Sequence, residues 1–233
     1  MGLSSTGHPK AESPGQELQQ EYRLRFGQLA QYRQSVWAVL CHQFFSRYVA
    51  QDHHVLDLGC GWGEFVNNVD AAQKWAMDLN PDAAERLASD IHFVHQDCSD
   101  TWPLGDASLD TVFSSNFLEH LPDKPAIERT LDQIFRCLKP GGQLILLGPN
   151  MRYVPGEYWD FWDHHVPLTD RSVAEVLAMR GFVVEEQVDR FLPFSMSTGR
   201  TPPLLFLKVY LKLRPAWRLF GKQFLVVARR PIG

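Results

Sequence analysis

The 233-residue sequence predicts an α/β fold. The expected core is a mostly parallel seven-stranded sheet with helices on both faces and an antiparallel last strand. Two observations carry this. From residue 54 onward, short apolar runs alternate with helical segments, as successive βαβ units require. The first run leads directly into a glycine-rich turn, "VLDLGCGWGEF" (55–65). In open sheets of this kind, ligands bind beyond the carboxyl ends of the strands.

Residues 1–16 read as a polar, disordered tail without the apolar stretch of a secretory signal. Residues 17–50 read as N-terminal helices: Leu18, Tyr22, Phe26, Leu29, Val36, Val39, Leu40 and Phe44 recur at spacings that build one apolar face. Residues 51–233 form the main domain. Strands are expected at 54–59, 74–79, 91–96, 109–115, 143–149, 182–192 and 223–230, and helices at 62–68, 81–89, 125–138 and 170–180. "KPGG" (139–142) stops the third helix, and Thr169 or Asp170 caps the fourth, which Gly181 ends. No crossover unit joins the last two strands, so they are expected to pair antiparallel.

Composition narrows the function. The chain is 45% hydrophobic and 21% charged, and no run of about 18 uncharged apolar residues reads as a transmembrane helix. Four cysteines without CxxC spacing predict free thiols and a cytoplasmic setting, not a zinc site or a disulfide framework. The net charge of −4 is uneven. From Arg190 onward there are nine Lys or Arg and no acid, which leaves the first 189 residues with 14 basic and 27 acidic side chains. A nucleic-acid partner is not expected, since the basic stretch is too apolar and the remainder too acidic.

The glycine turn excludes two familiar loops. A P-loop needs GxxxxGK before Ser or Thr, and that is absent. The dinucleotide fingerprint GxGxxG needs glycine at position 64, which is Glu64. The remaining pattern, DxGxGxG, spans Asp57, Gly59, Gly61 and Gly63. Its acid disfavours a pyrophosphate and suits a ligand with a cationic amino group. Asp78 follows 21 residues after Asp57, at the end of the second strand, where a carboxylate can take a ribose diol. Asp97 and Cys98 end the third strand, and "FSSNFLEHL" ends the fourth.

With these segments in order, followed by "LKPGGQLIL", residues 55–148 resemble the class I S-adenosylmethionine (SAM)-dependent methyltransferases. The resemblance implies a Rossmann-like fold and SAM as cofactor. It implies that Asp57, Gly59 and Gly61 hold the methionine part, Asp78 the ribose, and Asp97 with Cys98 the adenine. Asn116 would line the floor, and Gly63 and Leu79 complete the expected cofactor set.

Methyl transfer to a weak acid needs a proton acceptor near the fourth or fifth strand end. Candidate catalytic residues are His120, in "NFLEHL", and His164 and His165, in the acceptor-side loop at 150–169. In many small-molecule methyltransferases the histidine of such an "LEH" segment has no catalytic role, so a packing role stands beside the chemical one. Tyr153, Tyr158, Trp159 and Trp162 are candidates for the acceptor-pocket wall. Without HxxxH spacing, no metal is expected. The basic apolar insertion at 193–221 can pack on the domain, cover the site, or lie on an anionic membrane through 202–220. The expected function is methylation of a small-molecule or lipid- or saccharide-linked acceptor, with oxygen favoured over nitrogen. The alternative is a SAM-binding protein with a regulatory or scaffolding role.

Overall fold

The computed structural model describes residues 29–194 and 201–232. The expectations for residues 1–28 lie outside these. Seven strands form one sheet in the order β3-β2-β1-β4-β5-β7-β6. They are β1 (His54–Leu58), β2 (Gln73–Asp78), β3 (Ile91–His95), β4 (Leu109–Ser115), β5 (Leu138–Pro149), β6 (Val183–Val188) and β7 (Gln223–Arg229). Neighbours among β1 to β5 pair parallel, while β7 pairs antiparallel with both β5 and β6. The last strand therefore inserts between β5 and β6, and β6 becomes the edge.

Alternation along the strands divides the core. Leu56, Leu58, Leu144, Leu146, Val226 and Ala228 face one layer, with Ile127, Leu131 and Ile134 of α2 (Lys124–Cys137) and Val173 and Leu177 of α3 (Asp170–Met179). Val55, Phe113, Ile145, Leu147, Leu225 and Val227 face the other. There they meet α1 (Ala30–Gln43), α4 (Leu204–Lys212) and α5 (Arg214–Phe220) through Val39, Leu40, Leu211 and Trp217. Helices thus cover both faces, as expected.

The local signals explain most helix ends. Asp123 accepts from the Ala126 N–H and caps α2. Thr169 and Ser172 form a reciprocal capping box on α3. The C-terminal helical segment breaks at Leu213, and Pro215 sits in the first turn of α5, where a missing N–H costs nothing. Two expected helices are corrected. Residues 62–68 form hydrogen-bonded turns rather than an α-helix, because Gly61 and Gly63 hold left-handed φ of +54° and +72°. Residues 81–89 contain only a 3₁₀ turn, Pro81–Arg86, capped by Asn80.

The loop after β5 is tied down by a buried carboxylate. Asp170 accepts from Asn150 Nδ2 at 2.8 Å, Gln187 Nε2 at 2.8 Å and Arg152 Nη1 at 3.2 Å. Burial alone would raise its pKa, but the donors from Asn150, Gln187 and Arg152 outweigh burial and hold it below the usual carboxylate value. Asp170 therefore contributes stability above the ordinary carboxylate pKa, and loses it as pH falls through its own depressed value. Replacing Asp170 by Ala should destabilise the fold by about 3 kcal/mol at pH 7, with a smaller difference at acidic pH, in urea titrations.

Candidate cofactor and acceptor site

Register sets the geometry of the glycine turn. Leu58 pairs with Met77, so Gly59 leaves β1 beside Asp78, the last residue of β2. The Gly59 and Cys60 N–H groups donate to the Met77 carbonyl at 2.9 and 3.1 Å. One Asp78 carboxylate oxygen accepts from the Gly61 N–H at 2.7 Å, the other from the Asn80 N–H at 2.8 Å. Asp57 accepts from the Val66 N–H at 3.2 Å. Gly59 has φ of +66°, and a Cβ there would lie 2.2 Å from the Phe117 ring. The turn thus needs glycine for both conformation and space.

A cavity of about 760 Å³ opens at these strand ends, within the size range of small-molecule sites. Asp57, Gly59, Asp78, Leu79, Asp97, Cys98 and Asn116 line it. Gly61 and Gly63 shape the turn from outside the lining. Burial pushes the Asp57 and Asp78 carboxyls above their usual range; the neighbouring Glu64 and Asp78 charges add to it for Asp57. Such carboxyls gain from an added cation or hydroxyl donor. Asn116, at φ of +50° after β4, has a buried side-chain oxygen without a hydrogen-bond partner, as does Gln223 farther along the wall. These unmet groups suit a ligand bearing amino and hydroxyl donors.

In the wall of the same cavity, the two candidate clusters come together. The turn Leu118–His120 carries Glu119 and His120 into the cavity wall, beside Asp163 and His164 of the loop after β5. The His165 and Val166 N–H groups both donate to the Glu119 carbonyl, at 2.9 and 3.2 Å, and pin the loop there. His120 Nδ1 lies 3.0 Å from both the carbonyl and the carboxylate of Asp163. His164 Nδ1 lies 2.8 Å from the Tyr158 carbonyl, and the two imidazoles pack edge to face at 4.8 Å. Burial pushes the Glu119 carboxyl up to about 7, against the opposing pull of His120. Burial disfavours the charged His120 ring, yet the Asp163 hydrogen bond and the Glu119 and Asp163 charges outweigh it, and its pKa is raised.

Other expected residues fall elsewhere. His165 is exposed and outside the cavity lining, because adjacent residues point apart along this extended segment. Tyr158 is fully buried and donates to the Val166 carbonyl at 2.5 Å, a brace inside the loop. Tyr153 donates to Asp189, and Trp159 and Trp162 face solvent. None of these four aromatic residues lines the cavity. Of that loop's aromatic residues Phe161 lines the cavity, and the rest of the wall comes from Tyr32, Arg33 and Trp37 of α1 and from Phe206, Leu207 and Tyr210 of α4. Arg33 donates to the buried Glu64 at 2.7 Å. Only the apolar periodicity of these helices hinted that they face something, and it does not separate a core from a cavity.

Comparison with known proteins places this architecture. Residues 56–146 match the family model described as "Methyltransferase domain". An O-methyltransferase of Penicillium expansum is 31% identical over 109 residues, 42% of this chain and 38% of the relative. A demethylmenaquinone methyltransferase of Symbiobacterium thermophilum is 28% identical over 196 residues, 72% of this chain and 76% of that one. The chain thus spans well under half of the first relative and about three quarters of the second. Relatives of similar identity include both O- and N-methyltransferases. A Haloferax volcanii putative methyltransferase, solved with the Trm112 methyltransferase activator, superposes with a TM-score of 0.65 at 22% identity. That match covers 91% of this chain and 96% of the other, and shows the shared fold.

Residues 56–146 carry a methyltransferase domain of the class I SAM-dependent type. SAM is its cofactor, and the cavity's buried acids and unmet acceptors fit the amino and hydroxyl groups of SAM. Replacing Gly59 by Ala should lower Tm by roughly 4–8 °C and remove the thermal stabilisation given by S-adenosylhomocysteine. Differential scanning calorimetry with and without the nucleoside reads both effects.

Proposed function

We propose that this protein transfers the methyl group of SAM to a hydroxyl of a small-molecule or lipid- or saccharide-linked acceptor. The observation that carries the reading is that one cavity is lined both by the groups around the glycine turn, Asp57, Asp78 and Asn116, and by the proton acceptors Glu119, His120 and His164. Bound SAM supplies an electrophilic methyl group. The chain then has to fix the two reactants in line and accept the proton that a hydroxyl sheds. Three groups able to accept a proton at the acceptor end favour oxygen over nitrogen. His120 and His164 are the proposed catalytic histidines; His165, pointing to solvent, is a control position.

The acceptor wall supports an amphiphile. Phe206, Leu207, Tyr210 and Phe220 line the cavity, while Leu205, Val209, Leu213 and Leu219 of the same helical pair are exposed. Lys208, Lys212, Arg214 and Arg218 lie among them. An apolar surface ringed with cations suits the face of an anionic bilayer from which a lipid-linked acceptor would enter. No described helix is long and apolar enough to cross a membrane, so this contact would be peripheral.

Three measurements test these readings. Replacing Asp78 by Ala should weaken SAM binding at least tenfold in calorimetry, because two ribose acceptors and the brace on Gly61 are lost together. Unchanged affinity would remove Asp78 from the site. Separate His120→Asn and His164→Ala variants should keep SAM binding but lose S-adenosylhomocysteine formation by roughly 10²-fold or more. Equal, measurable turnover in wild type and both variants would remove both histidines from the chemistry, and SAM binding without turnover in the wild type would favour the regulatory or scaffolding reading. Sedimentation with phosphatidylglycerol vesicles should bring down the wild type, and a Leu205→Glu, Leu219→Glu variant much less. If the wild type stays in the supernatant, the membrane contact is ruled out.

A further inference from the structure

We propose that Glu119, His120 and His164 form a binding site for a first-row divalent transition cation at the acceptor end of the cavity. One ligand atom from each of the three lies within 4.8 Å of the others, a span that a small side-chain adjustment closes to that of two metal–ligand bonds of about 2.1 Å. Two imidazoles and one carboxylate suit zinc, manganese or iron(II), and three protein ligands leave coordination positions for an outside ligand.

The surroundings of each ligand support this. Glu119 is only 1% exposed, and its Oε1 has no hydrogen-bond partner. A carboxylate oxygen left in that state is costly unless a proton or a cation meets it. Both histidines also have their Nδ1 engaged. His120 Nδ1 lies 3.0 Å from the Asp163 carboxylate and His164 Nδ1 lies 2.8 Å from the Tyr158 carbonyl. When Nδ1 donates to such acceptors, the lone pair sits on Nε2 and the ring orientation is fixed. A carboxylate or carbonyl behind each imidazole is the usual arrangement around a metal-bound histidine. One carboxylate with two neutral rings leaves a bound dication with a net positive charge, which attracts an anionic or easily ionised oxygen.

Spacing alone did not find this site, because the ligands come from two segments. Glu119 and His120 follow β4, His164 lies in the loop after β5, and the hydrogen bonds of His165 and Val166 to the Glu119 carbonyl, with those between His120 and Asp163, bring them together. All three residues line the cavity. With a cation bound, His120 and His164 would act by holding it and not as bases themselves, and the cation would hold the acceptor hydroxyl and ease loss of its proton. That role rests on the methyl-transfer reading; cation binding does not.

The test uses the full chain, freed of metal with a chelator and then dialysed. Titration calorimetry with Zn²⁺ and, separately, Mn²⁺ should show one site per chain. Glu119→Gln and His164→Ala should each weaken it by 10- to 100-fold. His165→Ala, one residue away and exposed, should leave it unchanged. Co²⁺ should give a visible absorption band in the wild type that His164→Ala removes. SAM affinity is measured on every sample. Intact SAM binding without saturable cation binding overturns the metal site and leaves the methyltransferase reading standing. Cation binding weakened equally by His165→Ala would show adventitious binding by surface histidines and also overturn it. Should Glu119→Gln fail to fold, the Co²⁺ band in His164→Ala and His165→Ala still decides.

Discussion

The site depends above all on one carboxylate. Asp78 ends β2 and holds the Gly61 N–H at 2.7 Å, so the chain leaving β1 turns where β2 stops. The register of β1 against β2 brings the two together, and left-handed glycines permit the bend. Because Asp78 also lines the cavity, one group both builds the turn and faces the ligand. Burial raises its pKa, so it is sensitive to whatever donors reach it from the cavity side.

The acceptor end obeys a different constraint. No single element supplies it. The loop after β5 is fixed at its start by Asn150 and Asp170, and along its length by the Glu119 carbonyl. These anchors are mostly backbone hydrogen bonds and buried polar contacts, whose loss inside the protein costs more than their formation gains. They hold His164 against His120 and send His165 to solvent. Neighbouring residues with the same side chain thereby acquire different surroundings.

Covering the cavity falls to helices outside the match at 56–146. Tyr32 of α1 donates to the Pro202 carbonyl at 2.7 Å, joining the N-terminal helix to the start of the C-terminal pair. Arg33 meets the buried Glu64, the residue whose presence ruled out a dinucleotide loop. The matched core carries the glycine turn, while the helices that close the cavity lie outside it, where loops and added elements usually carry specificity.

Sequence alone determined the sheet, its strand order of appearance, the cofactor turn and its acids. These signals are local: period-two apolar runs, glycines in the turn, and acids at strand ends whose spacing follows from a βαβ unit. It also located the histidine-bearing segments. Only the tertiary structure decided that Glu119, His120 and His164 share one wall while His165 and the tryptophans at 159 and 162 face outward. It likewise replaced the expected aromatic wall by side chains of α1 and α4. The reason is physical: which side of an irregular loop faces a cavity has no periodicity, and is set by long-range hydrogen bonds such as those to the Glu119 carbonyl.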